Sequence, residues 1–147
     1  MSDLEFNEQD FQSVINELVP SYQREQISEG LGYTEEQEFD QLGLALTGEK
    51  QNSGLIVPTS APAESNKSMW SAIKSEVYDY MCTTSRKYSK ERKEAGITVK
   101  NIVTILATAV ASSFSIAVGV ITGAVTVALL SAMKIGKNAW CGINKPV

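Results

Sequence analysis

Apolar and polar positions alternate along this chain with helical spacing almost throughout. Phe11, Val14, Ile15, Leu18 and Val19 recur at intervals of three and four, with acids on the remaining face. That spacing predicts a short amphipathic helix, with Asn7 as a plausible cap and Pro20 closing it. Gln26 to Tyr33 contains Gly30 and Gly32 and reads as a loop. Thr34-Glu-Glu-Gln37 is a capping-box pattern ahead of Phe39, Leu42 and Leu46, so a second acidic helix is expected to end near Gly48. Residues 49–67 are rich in Gly, Pro, Ser and Asn, and Pro58 and Pro62 forbid a continuous helix, so this segment reads as a flexible linker. Over 68–96, Met69, Trp70, Ile73, Val77, Tyr80, Met81 and Tyr88 follow one face of a further helix capped by Ser68.

The pattern then changes character. From Asn101 to Met133 there are thirty-three consecutive residues without a formal charge, between Lys100 and Lys134. A helix needs roughly 20 apolar residues to cross a hydrocarbon core about 30 Å thick, so residues 97–134 are expected to form a transmembrane helix. As one rod the uncharged stretch would be about 50 Å long, and Gly119 and Gly123 are the expected point of a break. A break there would make a re-entrant hairpin with two arms of about 15 residues.

Within this stretch Thr104, Thr108, Ser112, Ser115, Gly119, Thr122 and Thr126 fall on one sector of a continuous helix. Ala107, Ala111, Ser115, Gly119 and Gly123 recur every fourth residue, the small-xxx-small pattern that allows close helix approach. Three readings of the stripe stand side by side: self-association, hydroxyls merely bonded back to their own helix, and pore lining. Self-association is carried forward, because small residues at every fourth position favour backbone contact, and pore lining comes last, because the stripe lacks the charged residue that marks an ion path.

Charge divides the chain. Residues 1–50 hold twelve acids against two bases, a net of −10, whereas residues 51–147 hold five acids against eleven bases, a net of +6. Residues 1–48 therefore read as an acidic interaction module whose Phe11, Leu18, Phe39 and Leu42 dock into an unknown protein partner, or else pack on one another. Arg86, Lys87, Lys90, Arg92 and Lys93 form a basic cluster suited to anionic lipid; the acids within it argue against nucleic acid. More bases flank the amino side of the stretch than the carboxyl side, so the positive-inside rule predicts a cytoplasmic amino terminus, a tail-anchored topology and a short tail at 135–147, with Trp140 as interfacial anchor. Met1 to Asp10 lacks the pattern of a secretory signal.

Candidate chemistry is sparse. The chain has no histidine, which removes the commonest general base and imidazole metal ligand, and Cys82 and Cys141 have no metal or framework spacing. The two cysteines could pair only if the hydrophobic helix did not span. No catalytic residue, metal or cofactor is expected. The expectation is thus an all-helical, membrane-anchored, self-associating interaction protein, with a pore-forming effector as its sharper form; the alternative is a soluble helical subunit whose residues 97–133 form two helices inside a larger complex.

Overall fold

Seven helices and no strand make up the residues described by the computed structural model, which are 8–48, 69–83 and 98–144. They are α1 (Glu8–Glu17), α2 (Ser21–Gly30), α3 (Glu36–Leu46), α4 (Met69–Cys82), α5 (Val99–Phe114), α6 (Val118–Ile135) and α7 (Lys137–Ile143). The all-helical class read from periodicity is the one observed. The linker, the basic cluster Arg86–Lys93 and Tyr88 lie outside the described residues.

The organising element is α6, which packs against each of the other six helices. From Ile121 to Met133 every side chain or glycine is buried. A helix apolar on all sides must be enclosed by something, lipid or protein. Here the chain's own amphipathic helices enclose it. Each turns its apolar face inward: Phe11, Val14 and Ile15 from α1, Ile27 from α2, Phe39 and Leu42 from α3, and Trp70, Ile73 and Val77 from α4. At roughly 1.5 to 3 kcal/mol per fully buried large aliphatic or aromatic side chain, this shared core is the main stabilising term.

The uncharged stretch does break, at Ser115, four residues earlier than Gly119. Helix α5 ends in a Schellman motif: Ser115 donates to the Ser112 carbonyl (3.3 Å), Ile116 donates to the Ala111 carbonyl (3.0 Å), and Ser115 sits in the left-handed region at φ 57°. Ser112 and Ser113 lower helix propensity just before that point. Gly119 then lies in the first turn of α6 and Gly123 inside it, so neither is the hinge. The resulting arms have 16 and 18 residues, about 24 and 27 Å. No helix among the described residues is long and apolar enough to cross a membrane.

Two local readings also change. Gln26–Tyr33 is not a loop throughout, because α2 runs to Gly30 and only then turns. Its periodicity is weak, with Gln23 in a position where an apolar residue is normal, which is why it does not stand out in the sequence. The start of α3 is displaced by one residue: Glu35 is the N-cap and its amide donates to Glu38 Oε1 (3.2 Å), the reciprocal half of a capping box one step beyond the Thr34–Gln37 pair.

Candidate functional site

The residues singled out in the uncharged stretch separate into two sets that face opposite ways. Thr104, Thr108, Ser112 and Ser115 are exposed on the outside of α5, and Gly119 is exposed at the start of α6. Thr122, Gly123 and Thr126 are buried. The stripe is continuous only on an unbroken helix; the turn at Ser115 redirects its second half into the core. The hydroxyls bond to their own helix in both places, Thr108 Oγ1 to the Thr104 carbonyl and Thr126 Oγ1 to the Thr122 carbonyl, both at 2.8 Å. Back-bonding thus accounts for hydroxyls in the interior of α6 without an unsatisfied group.

Gly123 supports close approach, but within one chain. A Cβ there would overlap Gln23 Oε1 and lie 2.9 Å from Ile27 Cδ1, so the glycine is what lets α2 lie against α6. At Gly119 a Cβ would meet nothing within 4 Å. The Gln23 side chain is 6 % exposed, and its Oε1 finds no hydrogen-bond donor among the described residues. An unsatisfied buried acceptor costs about 1 to 3 kcal/mol, a local weakness where α2 covers α6. Lys134 Nζ partly compensates by donating to the Leu31 carbonyl (2.7 Å) just beyond the end of α2.

On the outside of α5, from Asn101 to Ser115, the exposed residues are Asn101, Thr104, Thr108, Ser112, Ser113 and Ser115, with Ile105, Ala109 and Phe114 half-buried among them. No charge interrupts this face. It continues into the hairpin tip, where Ala117 and Val118 are also exposed. Surface helices in water ordinarily carry charge on the outer face, as α1 and α3 do. Lys100, immediately before this face, is drawn to Glu17 of α1 at 2.7 Å.

Phe11, Phe39 and Leu42 are buried in the chain's own core and Leu18 packs against it, so in this fold their faces are covered by α6 and its neighbours and not presented to a groove. Trp140 is likewise no interfacial anchor: it is fully buried, and its Nε1 donates to Ser131 Oγ (2.9 Å) of α6.

Cys82 and Cys141 form a disulfide with a Cα–Cα distance of 5.8 Å. A single crossing by the intervening stretch would put them on opposite sides of a bilayer. The bond places both flanks of the stretch together, so the tail-anchored single span is replaced by a hairpin whose ends meet. The flanking charges then have no single span to orient.

A second constellation, not foreseen, joins α3 to α4. Lys74 Nζ lies 2.6 Å from Glu36 Oε2 and 2.8 Å from Asp40 Oδ1, and Trp70 Nε1 donates to the same Asp40 oxygen (3.0 Å). Burial opposes the charge on Lys74, but hydrogen bonds and charge from Asp40 and Glu36 outweigh it and raise its pKa above the ordinary 10.5. A lysine held charged lacks the free electron pair of a base or nucleophile, so the group acts as a tie between helices. Gly43, one turn beyond Asp40, makes room for the Trp70 indole, which a Cβ would overlap. A cleft of about 350 Å³ opens beside this tie, between Asp40, Leu44, Trp70, Tyr78 and Asn144. The legible signal was spacing: Glu36 and Asp40, like Trp70 and Lys74, are four apart and share a helix face.

Comparison with protein-family models, with curated proteins and with solved structures finds no match for this chain.

Proposed function

We propose that this protein is a helical interaction protein that keeps a hairpin, α5–α6, uncharged from Asn101 to Met133, inside an acidic amphipathic sheath and acts by docking the neutral outer face of that hairpin onto a membrane. The observation that carries this reading is the α5 surface, where hydroxyls and half-buried apolar side chains run from Asn101 to Ser115 without a charge. Three of its hydroxyls donate to carbonyls of their own helix, Thr104 to Lys100 at 2.9 Å, Thr108 to Thr104 at 2.8 Å and Ser113 to Ala109 at 3.2 Å, so lipid contact leaves these donors paired. Partner recruitment fits the same arrangement. A protein that competes for the inward faces of α1 and α3 strips the sheath from α6, and the freed hairpin then enters the bilayer more deeply and associates with further copies.

Vesicle flotation of the full chain tests this. Thr108 and Ser112 are exposed, so replacing both by Lys leaves the fold intact while placing charge on the docking face. A lysine carried to hydrocarbon depth costs about 2.5 to 3.5 kcal/mol, so the variant is expected to lose vesicle binding by more than about a hundredfold. Binding equal to that of the wild type would remove the reading.

The second reading is a helical subunit of a larger complex, with the α5 face covered by protein. It is favoured by the shortness of both arms relative to a membrane span. Absence of flotation together with a larger assembly that the same Lys substitutions dissolve would select it.

A further inference from the structure

Helix α7 is held to the fold at two points. Among its described side chains only Trp140 is buried; Asn138, Ala139 and Gly142 are exposed, and Ile143 is 58 % exposed. Its other firm attachment is covalent, through Cys141 to Cys82 at the last residue of α4. The chain between the two cysteines contains the whole of α5 and α6, so this one bond closes a ring that includes the hairpin and ties α7, which follows α6, to α4. Both cysteines are half-buried, which leaves the bond within reach of a small thiol. On the α2 side the cover over α6 rests on Ile27 and a Gln23 whose acceptor is unmatched. The carboxyl end of the hairpin is thus tied to α4 through α7, and its α2 flank carries an unmatched acceptor.

We propose that the Cys82–Cys141 bond is a reducible latch: intact, it ties α7, and through it the carboxyl end of α6, to α4, and on reduction by a dithiol it frees α7 and loosens that end of the hairpin. The chemistry is ordinary exchange. One thiolate of the dithiol attacks a sulfur of the bond and displaces the other cysteine as a thiolate, giving a mixed disulfide. The second thiolate of the reductant then attacks the reductant sulfur of the mixed disulfide and displaces the remaining protein cysteine as a thiolate. Two electrons and two protons pass to the protein, leaving Cys82 and Cys141 as thiols and the reductant as a cyclic disulfide. Because disulfides persist in oxidising compartments and are reduced in reducing ones, such a latch reports passage between them. Its consequence at a membrane rests on the proposed docking function; the release itself does not.

Hydrogen exchange on the full chain, with and without dithiothreitol, reads the release, and flotation with mixed phosphatidylcholine–phosphatidylglycerol vesicles reads its consequence. Reduction is expected to speed exchange in α7 and at the carboxyl end of α6 by at least about tenfold while α1 and α3, which pack on the rest of α6, stay protected. The variant Cys82→Ser with Cys141→Ser is expected to show the same pattern without reductant and no response to it. Vesicle binding is expected to rise about tenfold on reduction. Unchanged exchange in α7 and at the carboxyl end of α6 would overturn the latch even if vesicles bind. Equal loss of protection in all helices would also overturn it, by making the bond a staple of the whole fold. Local release without vesicle binding in either state would keep the latch and remove the membrane reading.

Discussion

Helices α5 and α6 come from one uncharged stretch of similar composition, yet they occupy opposite environments. α6 touches every other helix and is buried from Ile121 to Met133, whereas α5 buries Ile102, Val103, Leu106, Ala107, Val110 and Ala111 and leaves its hydroxyl face outside. The difference lies in periodicity. In α5 the large apolar residues keep to one face and the hydroxyls to the other, while in α6 Val, Leu and Ile surround the helix and Thr122 and Thr126 have no polar side to occupy. Hydroxyl content alone therefore says little about which side of a helix meets water; the distribution of large side chains decides it.

The largest expected effect comes from placing the same charge in the two helices. Thr126→Lys buries an ammonium in α6 and is expected to lower stability by more than about 4 kcal/mol or prevent folding. Thr108→Lys in α5 is expected to change it by no more than about 0.5 kcal/mol. Urea unfolding followed by circular dichroism measures both, and similar losses would erase the contrast.

Two glycines four residues apart give the next contrast. Gly123→Ala pushes a methyl group into Gln23 and is expected to cost about 1 to 3 kcal/mol. Gly119→Ala meets open space and is expected to stabilise by up to about 1 kcal/mol through helix propensity. Thermal melts of the two variants should move in opposite directions.

The α3–α4 tie should respond to pH in one direction only. Because the folded-state pKa of Lys74 is raised, its contribution is fully present below its unfolded value, ordinarily 10.5, and disappears as pH rises through the folded value. The stability difference between wild type and Lys74→Met is therefore expected to be constant near neutrality and to shrink above about pH 10.5. A difference that grows there would contradict the assigned pairing. The smallest effect is at the hairpin turn, where Ser115→Gly relieves a left-handed serine and is expected to add up to about 1 kcal/mol.

Much of the helical layout was legible. The Phe11–Val19 periodicity, the Phe39–Leu42 face and the Trp70–Tyr80 face all mark residues that the fold buries. The all-apolar character of the second half of the uncharged stretch correctly required enclosure. What could not be read was the enclosing material, because lipid and amphipathic helices satisfy the same hydropathy. The hinge escaped because a Schellman motif at a serine lacks the glycine that usually marks one. Gly123 was legible as a site of close approach, but spacing does not say whether the approaching helix belongs to the same chain. Cys82 and Cys141 carry no sequence signal for pairing across 59 residues, and only the hairpin turn brings them together.

Hydroxyl-radical footprinting of the full chain, in water and then with vesicles, tests the central claim that one half of the uncharged stretch is stored and the other half offered. In water Ile121, Val125, Leu129 and Leu130 should stay unmodified while Val118, 41 % exposed, reacts; with vesicles Val118, Ile105 and Phe114 should become protected. Modification of the α6 aliphatics in water at the rate of Val118 would contradict the sheathed hairpin, and an α5 face that vesicles leave unprotected would contradict its role in docking.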